Sequence, residues 1–238
     1  MTDTSLDGRI ALITGASRGI GAAVAKRLAA EGVHCILLAR TTGALEEVDD
    51  AIQDAGGSTT LVPFDLNENH DALDQLGATI HERWGKLDIL IGNAGQLGQL
   101  SPVAHGDPKL WNMVLNVNLT ANFRLIRSMD PLLRLSDAGR AMFVTSGVAH
   151  SDAPYWGAYA ASKAGLESMV RSYAAEMANT SIRANIIDPG VVRTAMRKQA
   201  FPGEDEMQHP EPERIVDIFL ELASPNCTRN GDVVKANP

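Results

Sequence analysis

The amino-acid sequence predicts an α/β domain, a doubly wound parallel sheet with helices on both faces, formed by all 238 residues as a single unit (1–238). Three observations carry that prediction. Short runs rich in Ile, Val and Leu alternate with longer stretches of helical periodicity along the whole chain. The runs are apolar at nearly every position rather than at every second one, the pattern of strands covered on both faces. No repeat, low-complexity tract or interdomain linker interrupts the alternation, and such a strand and helix order winds into an open parallel sheet.

The first strand is expected at 9–14 (RIALIT), before a helix over 19–31 that opens in a glycine-rich turn. A second strand, 33–39 (VHCILLA), leads to a helix near 43–55, and a third, 59–64 (TTLVPF), to a helix near 69–84. The fourth is 87–92 (LDILIG), followed by a long helical pattern over 108–135. Asp107-Pro108 suits the start of that helix, because a proline in the first turn has no needed N–H to lose. Strands 140–146 (RAMFVTS), 182–187 (IRANII) and 232–236 (DVVKA) complete a set of seven, with helices over 157–179 and 212–223 between them, the latter opened by Glu211-Pro212. The irregular stretch is RKQAFPGEDEMQHPEPE, 197–213, rich in Pro and charge. By itself it reads as a solvated loop; beside a functional site it reads as a substrate lid over about 195–212.

Composition excludes several functions. Lys plus Arg number 21 against 29 Asp plus Glu, a formal charge of -8, which argues against a nucleic-acid partner held by cationic contacts to phosphate. The two cysteines, Cys35 and Cys227, are too few for a disulfide framework and fit a reducing cytoplasm. No apolar run approaches the roughly 18 to 20 residues of a membrane span, and MTDTSLDGR lacks the order of a signal peptide, so no membrane association is expected. The six histidines show neither HxxxH nor HExxH spacing, so no metal is expected.

TGASRGIG, residues 14–21, places Gly15, Gly19 and Gly21 where a strand hands over to a helix. Glycine permits the tight turn and the close approach of backbone to an anionic ligand, and free N–H groups at the helix start hold a pyrophosphate. The spacing is GxxxGxG rather than GxGxxG, so the loop alone is weak evidence for a dinucleotide. An NAD site presents Asp or Glu about 20 residues further on, for the ribose 2′-OH. That window here reads LLARTT, 37–42, with no acid and with Arg40. Arg40 and Arg18 are cations suited to a 2′-phosphate, which favours NADP(H) over NAD(H); the bland reading of Arg40 is a solvated strand-end arginine.

YAASK, 159–163, lies in the helical pattern 157–179, so Tyr159 and Lys163 project from one face a turn apart. A free tyrosine titrates near about 10; an adjacent ammonium, and the positive charge of an oxidised nicotinamide, are expected to lower that value and make the phenol a general acid/base. Ser146, thirteen residues before Tyr159, ends a strand where an open α/β sheet places its ligand crevice, and its hydroxyl is placed to bind the same substrate oxygen.

With TGASRGIG, GNAG (92–95), NVNLT (116–120), the spacing from Ser146 to YAASK, and IIDPGVVRT (186–194) in this order, nearly the whole chain resembles the short-chain dehydrogenase/reductase (SDR) family. The resemblance implies a Rossmann-type sheet of seven parallel strands and catalysis by Asn118, Ser146, Tyr159 and Lys163. Asn118 would link Lys163 to a proton relay through a water held by helix backbone. Cofactor contacts are implied at Gly15, Ser17, Arg18, Gly19, Ile20 and Gly21; at Arg40; at Asp65, for adenine, with Leu66 beside it; at Asn93, Ala94 and Gly95; at Tyr159 and Lys163; and at Pro189, Gly190 and Thr194, which would hold the nicotinamide amide. The implied function is hydride transfer between NADP(H) and a small-molecule carbonyl or alcohol. The alternatives are a regulatory or scaffold protein that only binds the cofactor, and a non-redox reaction such as epimerisation or dehydration.

Two positions depart from the family pattern: Gly92 stands where Asn is usual, and the chain runs GDVVKANP (231–238) where an Asp-Gly-Gly segment is common. The second weakens the expectation of a homotetramer against a homodimer. A dimer is expected through the long helices, because Leu110, Val114, Phe123, Leu125, Ile126, Leu132 and Leu133 exceed what one core face needs. A hydrolase reading of Ser146, His150 and Asp152 fails at Val144, where a nucleophile elbow wants glycine. Trp84 and Cys35 read as packing residues. His150, Tyr155 and Trp156 are expected to line the substrate pocket, which loops 96–106, 147–156 and 195–212 would shape.

Overall fold

The computed structural model describes residues 5–68 and 70–236. Seven parallel strands form one sheet in the order β3-β2-β1-β4-β5-β6-β7: β1 Ile10–Thr14, β2 His34–Ala39, β3 Ser58–Pro63, β4 Ile89–Gly92, β5 Arg140–Val144, β6 Arg183–Asp188 and β7 Val233–Lys235. The chain moves outward from β1 to β3, then crosses back to lay β4 on the other side of β1. Between β1 and β4 the winding reverses, and in such sheets the ligand crevice opens at that place, beyond the carboxyl ends of the strands.

Alternation along the strands divides the core. Ala11 and Ile13 of β1, with Cys35 and Leu37 of β2, pack on α1 (Gly19–Ala30), α2 (Thr42–Asp54) and α8 (Asp217–Ala223). Ile10 and Leu12, with Ile36 and Leu38, face the opposite layer of α3 (His70–Trp84), α5 (Ala121–Leu133) and α6 (Gly157–Glu176). Burial on both faces explains why these strands lack polar alternation. β3 departs from that expectation: as the edge strand it is only half-buried, and its end residues Ser58 and Pro63 are exposed.

The helix expected over 108–135 is interrupted. α4 (Pro108–Leu115), started by the Asp107 side chain accepting from the Lys109 N–H at 2.8 Å, gives way to a π-helical turn, Asn116–Thr120, before α5. Periodicity does not reveal the turn, because apolar residues such as Val117, Leu125 and Leu132 remain at spacings that a continuous helix also allows. The stretch at 195–212 is also more ordered than its composition suggests: it contains α7 (Ala195–Ala200), capped by the Thr194 hydroxyl, and a 3-10 turn, Glu206–Gln208. Likewise the expected helix at 212–223 begins as a 3-10 turn, Pro212–Ile215, ahead of α8.

The apolar surplus assigned to a dimer largely belongs to the core. Val114, Leu125, Leu132 and Leu133 are buried within the chain, whereas Phe123 and Trp111 are exposed. Gly92 has a packing reason, since a Cβ there would overlap the Phe143 ring and the Asn122 amide oxygen. No helix among the described residues is long and apolar enough to cross a membrane.

Candidate active site

A cleft of about 940 Å³ lies across the carboxyl ends of the strands. Its lining takes in Gly15, Ser17, Arg18, Gly19 and Ile20 after β1, Arg40 after β2, Asp65 and Leu66 after β3, and Asn93, Ala94 and Gly95 after β4. Ser146 after β5, Tyr159 and Lys163 on α6, and Pro189, Gly190 and Thr194 after β6 complete the set. Of the catalytic and cofactor-binding residues expected from the sequence, Gly21 and Asn118 stand outside this wall, each for a physical reason.

Gly21 lies beneath the glycine loop, where a Cβ would overlap the Gly15 carbonyl oxygen. Gly15 itself has φ +65°, and a Cβ on it would come within 2.9 Å of Ala94 Cα. The loop between β1 and α1 thus folds tightly against itself and against Ala94 because two of its positions have no room for a side chain. Thr14 and Asn93 stitch this loop to the next strand end. The Thr14 hydroxyl accepts from the Asn93 and Ala94 N–H groups (3.0 and 3.1 Å), and the Asn93 amide donates to the Thr14 carbonyl (3.0 Å).

Cations flank the loop. Arg18 is exposed at the start of α1, and Arg40 is 53% exposed, its guanidinium 3.8 Å from the Asp65 carboxylate. So wide and wet a pair is worth at most about 1 kcal/mol, and Arg40 keeps donors for a second anion. Open N–H groups at a helix start and two guanidinium groups beside them fit a phosphorylated dinucleotide.

At the other end, Lys163 is buried, and its ammonium donates to the Val144 carbonyl at 2.8 Å. Burial pulls its pKa down to about 8. Tyr159 is buried too, and its phenol is within hydrogen-bonding reach of the Ser146 hydroxyl. The expected lowering of the Tyr159 pKa is not found in the cofactor-free protein. Burial pushes it up to about 12, the Ser146 hydrogen bond opposes the rise, and the Asp188 carboxylate adds to it. Lys163, 5.7 Å from the ring centroid, cannot offset that burial: with a pKa near 8 it has lost its charge before the phenol would titrate.

Asn118 acts from behind the wall. Fully buried in the π-helical turn, its side chain accepts from the Gln96 N–H (2.8 Å) and donates to the Gln96 carbonyl (3.0 Å) and the Ser162 hydroxyl (2.9 Å). Its own carbonyl accepts from the Asn122 amide at 2.8 Å. Asn118 therefore ties the loop after β4 to the helix that carries Tyr159 and Lys163.

Glu167 escapes sequence reasoning. One turn beyond Lys163 on α6, its carboxylate is 1% exposed and accepts from Thr145 Oγ1 (2.7 Å), His150 Nε2 (2.7 Å) and the Arg171 guanidinium (3.0 Å). The i, i+4, i+8 spacing of Tyr159, Lys163 and Glu167 was the available signal. Among the three residues expected to line the pocket, only Trp156 does, its ring edge-on to Tyr159 at 5.9 Å. His150 turns to Glu167, which also removes it from any triad with Ser146. Tyr155 points to solvent with φ +74°. Trp84 packs on His34 at 5.3 Å, and burial raises the Cys35 thiol to about 12, so both are packing residues. Among the described residues no His, Cys, Asp and Glu group that could hold a metal is present.

Known proteins resemble this chain in sequence and in fold. The family model for short chain dehydrogenases matches residues 9–205. The uncharacterized oxidoreductase YciK of Escherichia coli K12 is 38% identical over 229 residues, covering 94% of this chain and 89% of its own. A short chain dehydrogenase structure from Pseudomonas syringae superposes with a TM-score of 0.95 at 36% identity, over 98% of this chain and 96% of that one. Another, from Escherichia coli CFT073 and complexed with NADPH, does so with a TM-score of 0.94 at 37% identity over 99% of each. With the sheet order, the glycine loop and the Ser146, Tyr159 and Lys163 constellation in place, the chain belongs to the short-chain dehydrogenase/reductase family of oxidoreductases.

Proposed function

We propose that the protein is an NADP(H)-dependent oxidoreductase acting on a carbonyl or alcohol, with Tyr159 as its general acid/base. The observation that carries this reading is the convergence of Ser146, Tyr159 and Lys163 on one end of a cleft whose other end holds the glycine loop, Arg18 and Arg40. The NADPH complex of the Escherichia coli CFT073 relative supports the choice of cofactor.

A nicotinamide held beside Tyr159 and Lys163 would supply or take the hydride. In reduction, Tyr159 gives its phenolic proton to the substrate oxygen as charge builds there, and the neutral phenol of the cofactor-free protein is the form that donates. Ser146 holds that oxygen through its hydroxyl. Lys163 has three donors, one committed to the Val144 carbonyl; the other two suit ribose hydroxyls, and a charge kept there stabilises the phenolate left after proton transfer. Asn118 fixes the loop at Gln96 against α6, so it positions and does not touch substrate.

Tyr159→Phe tests the assignment. The ring, and with it the contact to Trp156, remains, so NADPH should bind within about threefold of the wild type. Turnover should fall about a thousandfold, in the range of a lost general acid together with its positioning. Retained turnover refutes the role.

A further inference from the structure

Charge is distributed unevenly around the catalytic end of the cleft. The three cationic side chains of the segment from 193 to 211, Arg193, Arg197 and Lys198, are already paired inside it. Arg197 forms two bonds of 2.6 Å to the Glu204 carboxylate, Lys198 binds Glu206 at 2.6 Å, Arg193 binds Glu211, and His209 lies 3.1 Å from Glu204. Arg197 is further held by its guanidinium stacking 3.9 Å over Phe201, which leans on Trp156. A guanidinium already holding a carboxylate in its fork has little left for an incoming anion.

Asp188, at the end of β6, is the opposite case. It lines the cleft, is 9% exposed, and among the described residues has no ion-pair partner; its Oδ1 accepts the Gly190 N–H at 3.1 Å. Its Oδ2 lies against the turn that follows Ser146, 3.6 Å from where a Gly147 Cβ would be. Beyond the polar groups at the reacting end (Gln96, Ser146, Tyr159 and Lys163, the last held by the Val144 carbonyl) the wall is apolar: Leu97, Val148, Trp156, Met196 and Ala200. Met196 and Trp156 fix this wall at the reacting end. The Met196 methyl is 3.6 Å, and the Lys163 ammonium 3.7 Å, from the place of a Gly95 Cβ, and Trp156 is edge-on to Tyr159.

An unpaired buried carboxylate repels an anion strongly where water is displaced, and an apolar wall offers an anion no replacement for its hydration. We propose that the catalytic end of the cleft selects uncharged carbonyl compounds with an apolar body and rejects carboxylate-bearing ones, with Asp188 setting the rejection. The selection rests on the reductase reading for the place of the substrate, but a binding measurement tests it without turnover.

Dissociation constants for benzaldehyde and for 2-, 3- and 4-formylbenzoate would be measured by ligand-observed NMR on the NADP+ complex, in which no hydride is available. Each formylbenzoate should bind at least fivefold more weakly than benzaldehyde, and Asp188→Asn should narrow that ratio at least threefold. Any formylbenzoate binding within fivefold of benzaldehyde to the wild type overturns the selection, and an unchanged ratio in Asp188→Asn overturns the role of Asp188. Turnover of benzaldehyde with NADPH is a separate readout: its absence, with the binding ratio intact, counts against the reductase reading and leaves the selection standing.

Discussion

Lys163 makes a prediction that can be worked from its surroundings. Burial moves its pKa from 10.5 to about 8 in the folded, cofactor-free protein. Between these values the native chain has released a proton that the unfolded chain still holds, so stability rises with pH across that window and is flat below it. At about 1.36 kcal/mol for each tenfold change in acidity the full gain is about 3 kcal/mol. Other groups act in the opposite sense at higher pH: Cys35 and Tyr159, both raised to about 12 by burial, stay protonated when folded while the unfolded chain ionises them, and so destabilise above about pH 9 and 10 respectively. Lys163→Met isolates the lysine, because methionine fills much of the same space and does not titrate. Urea unfolding of both proteins at pH 7 to 10, followed by circular dichroism, gives the difference in stability. Wild type should gain on the variant by about 1.4 kcal/mol per pH unit between 8 and 10. A difference that stays flat would mean that Lys163 keeps its charge in the fold, and would undo the account of the Tyr159 pKa that depends on it.

Arg40→Asp should weaken NADPH binding at least tenfold and bring NADH closer to it, as read by nicotinamide fluorescence; equal loss for both nucleotides would remove Arg40 from 2′-phosphate recognition. Gly92→Asn, which restores the usual family residue, should cost about 1–3 kcal/mol by overpacking against Phe143. Combining it with Phe143→Ala in a double-mutant cycle should recover part of that loss, whereas strict additivity would refute the steric account. Glu167→Gln should lower kcat about tenfold, or about 1.4 kcal/mol, with KM for NADPH unchanged, because it loosens Thr145 and the turn after Ser146. An unchanged kcat would confine Glu167 to stability.

Seven strands, their order of appearance and the residues at their carboxyl ends were legible because both-face burial and glycine punctuation are local signals. The π-helical turn was not, since Val117 and Leu125 still fall on the apolar side of a helix wheel while the hydrogen-bond ladder slips between them. Nor was α7, whose residues Ala195–Ala200 sit among charges that pair only after the segment folds. The sign of the Tyr159 shift went the other way because spacing reveals which groups are neighbours, not how dry they are. Glu167 and Asp188 were missed for a similar reason: a lone acid in the sequence does not show whether it meets water or Thr145.

The slipped ladder at Asn116–Thr120 also sets a rule for length variation. An extra residue within a turn twists everything before it by about 100° relative to an unbroken α-helix. Loss of one residue there would not merely shorten the rod. It would wind α4 around its own axis, carry Val114 out of the interior and swing Trp111 to a new bearing. The stretch from Pro108 to Leu133 is therefore counted to the single residue, and gaps here behave like frameshifts of a surface.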